Sequence, residues 1–116
     1  MMATVTSHTL NAADGTHASG IAARLVNMTT QAVLFETATD AAGRLNQTID
    51  LTGANPTDRY ELTLATGPFW TAAGQTHPQI VDEIVLRFSM PDPQARYHMP
   101  LILSPNGYST WRSQPE

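Results

Sequence analysis

From Arg59 to Leu64 the chain reads Arg-Tyr-Glu-Leu-Thr-Leu, with Tyr60, Leu62 and Leu64 on one side and Arg59, Glu61 and Thr63 on the other. A period of two marks an extended strand with one buried face, because successive side chains leave a pleated backbone in opposite directions. The alternation recurs. It sets Ile21, Ala23 and Leu25 against Ala22, Arg24 and Val26. It puts Ile84, Leu86 and Phe88 on one face of segment 82–88, and Tyr97, Met99, Leu101 and Leu103 on one face of segment 97–103. Segment 32–38 is rich in β-favouring residues and follows the Ile21 run after a polar loop, 27–31, so the two are expected to pair as an antiparallel hairpin.

Turn-forming residues separate these runs: Asp14-Gly15, Gly43, Gly53-Ala54-Asn55-Pro56, Pro91-Asp92-Pro93 and Ser104-Pro105-Asn106-Gly107. Short strands punctuated this often predict a β-sandwich of roughly seven or eight strands. Only residues 68–74 read as helical, with Pro68 in the first turn and Gly74 as the stop. At 116 residues the chain holds one domain, 1–116, with one modest core.

The charge balance excludes several functions. Six arginines, no lysine and ten carboxylates give a net charge of −4. Nucleic-acid backbones are held by clustered positive charge, so no nucleic-acid partner is expected. Without cysteine there is neither a disulfide nor a thiolate nucleophile. No apolar window approaches the roughly 18 residues that cross a bilayer, and the N-terminal segment lacks the basic and apolar regions of a secretory leader. A non-exported, cytoplasmic chain without a membrane partner is the expectation.

Four histidines, His8, His17, His77 and His98, carry what chemistry the local sequence offers. None pairs with another at the helical spacing of a zincin, and no thiolate completes a zinc set, so no metal and no cofactor are expected. His17 and His77 lie in polar, turn-like contexts and read as surface residues. His98 lies inside an apolar strand, on the face opposite Tyr97, Met99 and Leu101, where an imidazole is either held by partners or poised as a base. Pro100, lacking an N–H, favours an edge or bulged position. His8 falls in an expected first strand, 4–10, and Arg44 follows the Gly43 turn. Local spacing does not link them.

In combination these residues resemble a known family. His8-Thr9-Leu10-Asn11, followed by Gly15 and Gly20-Ile21, is similar to the H-V-L-D…G…G-V opening of the transthyretin-like family of 5-hydroxyisourate hydrolases. Ala42-Gly43-Arg44-Leu45 resembles its D-G-R-L turn, and the run from Tyr97 to Thr110 resembles its Y-H-V-P-L-L-L-S-P-Y-G-Y-S-T block. The resemblance implies an all-β, prealbumin-like sandwich of two four-stranded antiparallel sheets with one short helix, assembled as a homotetramer with sites in a channel between dimers. It also implies that His8, Arg44 and His98 form the hydrolytic site for a small purine-derived substrate, with the C-terminal residues Trp111, Arg112, Ser113 and Gln114 binding that substrate.

The departures from the family pattern bear on specificity. Trp111-Arg112-Ser113-Gln114 stands where the family has Tyr-Arg-Gly-Ser, Asn11 replaces an aspartate, and Asn106 replaces a tyrosine. An indole in place of a phenol donates a hydrogen bond but accepts none. Two substrate readings follow, the parent 5-hydroxyisourate or an N-methylated analogue from methylxanthine breakdown. A non-catalytic tetramer holding a small aromatic ligand in its channel is the alternative from another class.

Overall fold

The computed structural model describes residues 1–112 and 114. Strands β1 (Met2–Asn11), β2 (Ala22–Asn27), β3 (Ala32–Ala38), β4 (Arg44–Asp50) and β5 (Arg59–Leu64) are followed by the helix α1 (Thr66–Ala72). Then come β6 (Ile84–Ser89), β7 (Arg96–His98), β8 (Leu101–Ser104) and β9 (Gly107–Thr110). One sheet runs β3-β2-β5-β6 and the other β4-β1-β8-β9, with β7 also paired to β1. The two-sheet, single-helix sandwich implied by the resemblance is what the chain forms.

The alternating runs point where their periodicity says. Ile21, Ala23, Leu25, Tyr60, Leu62, Leu64, Ile84 and Phe88 are buried from one sheet, and Val5, Leu45, Ile49, Tyr97, Met99, Leu101 and Leu103 from the other. Removing these faces from water is the main favourable term in holding the layers together. The expected β2–β3 hairpin is present, with a register shift at Leu25/Val26.

Four details differ from the sequence reading. First, the sheet containing β1 is mixed: β1 is antiparallel to β4 but parallel to β7 and β8. A parallel neighbour requires a long crossover, and here the whole opposite sheet lies within that connection. Second, nine strands are assigned among the described residues, because segment 97–103 is interrupted at Met99-Pro100. The pairing register to β1 is the same on both sides of the break, so β7 and β8 form one row and each layer has four rows. Met99 N–H donates to Thr6 O at 2.9 Å, which turns the following backbone nitrogen toward the other side of the row. There β9 pairing ends at Thr110, so proline forfeits no ladder bond and its carbonyl instead accepts from Thr110 Oγ1 at 2.8 Å.

Third, the helix starts at Thr66 rather than Pro68. Gly67 N–H donates to Asp82 O at 2.8 Å, so a tertiary contact fixes the first turn and Pro68 falls inside it. Fourth, β4 and β9 were not legible as strands. In β4 a glutamine, Gln47, stands between the buried Leu45 and Ile49, which weakens the apolar alternation.

Candidate active site

The site grows from register. In β1, Val5, Ser7 and Thr9 face the core, and Thr6 and His8 share the other face of the sheet. His8 lies directly opposite Arg44 on β4, and Thr6 lies directly opposite His98 on β7. Residues opposite one another across a ladder project to the same face, so His8, Arg44 and His98 emerge together from three adjacent rows. This answers what the linear spacing left open: residues 36 and 90 positions from His8 become its neighbours through strand pairing alone.

Both imidazoles are held by side-chain contacts and Arg44 by its backbone. His98 Nδ1 is 2.8 Å from the buried Thr6 Oγ1. His8 Nε2 is 3.0 Å from Nδ1 of His17, with the ring centroids 5.0 Å apart and 29° between their planes. An isolated antiparallel bridge from Leu10 to His17 brings the loop back along β1 and sets that contact. The Arg44 backbone N–H donates to Asp40 Oδ1 at 2.9 Å, anchoring the turn that delivers it. Among the described residues no carboxylate forms an ion pair with the Arg44 guanidinium.

Gly43 makes the approach of β4 possible. Its φ is +72°, and a Cβ there would lie 2.4 Å from the Thr9 carbonyl oxygen. The Gly43 carbonyl accepts from Thr9 N–H at 2.7 Å and from Thr9 Oγ1 at 3.0 Å. Thr9 and Gly43 are the chain neighbours of His8 and Arg44, so this clasp fixes the imidazole relative to the guanidinium.

Electrostatics favour a neutral imidazole. Partial burial lowers the His8 pKa below its ordinary 6.5, and the neighbouring Arg44, His17 and His98 lower it further, against a backbone hydrogen bond at Ala42 that raises it. A neutral ring beside a guanidinium is a base next to an electrophilic cation. Such a pair can deprotonate water and stabilise charge developing on a carbonyl oxygen.

The C-terminal residues named from the family pattern sit differently. Trp111, 52% exposed, and Arg112 line a concavity of about 230 Å³ with Val85, Phe88 and Met99, which contains none of His8, Arg44 and His98. Arg112 Cζ stands 5.7 Å from the Tyr97 ring centroid, a cation–π arrangement. Gln114 is exposed, and Ser113 lies outside the described residues. His77 is exposed in the loop before β6. His17 is exposed too, yet it touches His8; its polar, turn-like surroundings concealed this, since the contact depends on the Leu10 bridge. Thr6 was likewise missed, there being no signal in a threonine-rich strand for which hydroxyl meets an imidazole. Among the described residues no group of three or more His, Asp or Glu side chains converges on a metal position.

Two layers of four strand rows with one short helix, and a histidine-bearing polar face on the mixed sheet, define a transthyretin-like domain. The chain belongs to the HIUase/Transthyretin family, which it matches over residues 5–113. It is 31% identical over 111 residues to a 5-hydroxyisourate hydrolase of Deinococcus radiodurans, covering 93% of each chain. Among solved structures it resembles 5-hydroxyisourate hydrolase of Klebsiella pneumoniae, with a TM-score of 0.74, 29% identity and coverage of 96% of this chain and 99% of that one. Transthyretin from Sparus aurata superposes with a TM-score of 0.78 at 24% identity, over 94% of this chain and 95% of that one. The fold is thus shared about equally by proteins of both names, and the choice between activities rests on the site.

Proposed function

We propose that the protein is a hydrolase that opens the six-membered ring of 5-hydroxyisourate. The observation that carries this reading is the convergence of His8, Arg44 and His98 on one sheet face by strand register. Near-full-length similarity to relatives bearing that name supports it. A carrier needs no base, whereas amide hydrolysis needs one beside a cation.

In the reaction, a histidine of the set removes a proton from water as its oxygen adds to the ring carbonyl carbon, and Arg44 stabilises the developing oxyanion. Collapse breaks the ring carbon–nitrogen bond, the nitrogen takes up the proton held by the histidine, and the new carboxylic acid releases its own proton to solvent to leave a carboxylate. A positioned base contributes roughly 10²–10⁴ and an oxyanion donor roughly 10²–10³. Replacing His98 or Arg44 by alanine is expected to lower kcat by factors of that size. Near-normal turnover of either variant on freshly generated 5-hydroxyisourate would remove that residue from the mechanism.

The three side chains lie on an open face. Two concavities, of about 530 and 590 Å³, lie on the opposite sheet and beside α1, and contain none of them. Exclusion of bulk water therefore calls for a second surface, which a homotetramer with channel-lining sites supplies; light scattering at four times 12.6 kDa is the expected result. A second reading concerns substrate range. The exposed Trp111, which stands where the family pattern has a tyrosine, favours N-methyl groups over polar ring edges if assembly sets a neighbouring copy's C-terminal segment against the His8, Arg44 and His98 face. Parallel turnover of 5-hydroxyisourate and its trimethyl analogue decides between the substrates, and faster turnover of the parent refutes the N-methyl preference.

A further inference from the structure

We propose that His17 is a positioning residue for His8, holding its ring and sharing a single proton with it across the 3.0 Å contact between the two imidazoles. The kinetic part of this inference rests on the hydrolase reading; the structural part does not.

His8 Nε2 and His17 Nδ1 face one another at hydrogen-bond distance, and the rings are within 29° of coplanar with centroids 5.0 Å apart, which suits an in-plane N–H···N bond. A neutral pair places one proton on that line, one ring donating and the other accepting. If both rings were imidazolium, two N–H groups would point into the same 3.0 Å gap. As long as the contact holds, one of the two facing nitrogens carries no proton.

The contact is built rather than incidental. The loop that carries His17 is tied to β1 by Asn11 N–H donating to Thr16 O at 2.8 Å and Ala18 N–H donating to Thr9 O at 2.9 Å. These bonds flank His17 on both sides, so its position is set by the same strand that carries His8. The Thr9 hydroxyl shares its one proton between Ala18 O at 2.7 Å and Gly43 O at 3.0 Å.

The charged and titratable groups around the pair are Arg44 on β4, His98 on β7, Asp40 at the turn before Arg44, and Asp14 in the His17 loop, where it accepts from Thr16. Arg44, His98 and a protonated His17 all disfavour a charged His8. His17 differs from the other two in being both exposed and in direct contact, so it links His8 to solvent protons.

The test uses His17→Asn and His17→Ala in the full chain. The His8 ring is titrated by NMR without substrate, and pH profiles of kcat/KM are measured on freshly generated 5-hydroxyisourate. In both variants the His8 midpoint and the acid limb of kcat/KM are expected to move to higher pH. His17→Ala is expected to lose about tenfold in kcat with little change in KM, a part of what a positioned base supplies. His17→Asn keeps a hydrogen-bonding group without a titrating proton, so it recovers most of kcat while its acid limb stays displaced. An unmoved His8 midpoint in His17→Asn overturns the proposal, and this variant decides the matter if His17→Ala does not fold. A moved midpoint in a protein without turnover sustains the pairing and defeats the hydrolase reading instead.

Discussion

Gly43→Ala tests how tightly the fold clamps the two sides of the site. Two effects add. A side chain at φ +72° puts an L-residue in the left-handed region, at about 1–2 kcal/mol. The new Cβ would also sit 2.4 Å from Thr9 O, 3.2 Å from Ala18 N and 3.3 Å from Ala18 O, all backbone atoms that cannot swing aside. Relieving such an overlap displaces main chain, at about 1–3 kcal/mol. The sum, about 2–5 kcal/mol, is a large share of the roughly 5–15 kcal/mol that holds a domain of this kind together. The expected fall in Tm is on the order of 10 °C. Gly53→Ala is the control, because its φ is +82° with nothing within 4 Å, so only the backbone effect of about 1–2 kcal/mol applies. Melting and urea unfolding of both variants are compared at one protein concentration, since assembly would make Tm concentration-dependent. Equal midpoints for the two would refute the close-approach argument. The surviving fold of Gly43→Ala should also turn over more slowly than Gly53→Ala, because the displaced atoms adjoin His8 and Arg44.

Three further outcomes follow from particular bonds. Thr6→Val keeps the shape of the buried side chain but removes the 2.8 Å contact to His98 Nδ1; a loss of about 1 kcal/mol should lower kcat about fivefold with little change in KM, and unchanged kinetics would show that Thr6 does not orient the ring. Because the His8 pKa is lowered from 6.5 in the fold, the unfolded chain binds that proton first as pH falls. Stability is therefore expected to decline as pH drops below 6.5 toward the folded-state value, and His8→Gln should flatten that part of the curve measured by urea unfolding. Asn106 accepts from Ile80 N–H at 2.6 Å and Val81 N–H at 2.9 Å and donates to Pro78 O at 3.0 Å, tying the loop before β6 to the β8–β9 turn. Asn106→Gly tolerates the positive φ of 60° but loses the clamp, so faster hydrogen exchange at Ile80 and Val81 is expected with the core amides unaffected.

Strand identity and facing were legible because period-two alternation is a local property: each residue in Arg59–Leu64 declares its side by its own polarity. The turn glycines and prolines marked most ends for the same reason. The family pattern supplied His8, Arg44 and His98 as a set, while their residue chemistry alone left each of them open. What the sequence could not show is pairing. Whether β1 meets β7 parallel or antiparallel, and in which register, depends on the path of the intervening sheet, and that register decides which imidazole stands beside which hydroxyl.

By itself, then, the chain determined a sandwich of short strands, its buried faces, and a net charge of −4. Only the tertiary structure decided that Thr6 holds His98, that the Gly43 turn presses Arg44 against β1, and that a loop histidine, His17, meets His8. The physical reason is the range of the interactions. Hydropathy and turn preference act within a few residues, whereas a hydrogen bond at 2.8 or 3.0 Å exists only once remote segments have been set in register by the core beneath them.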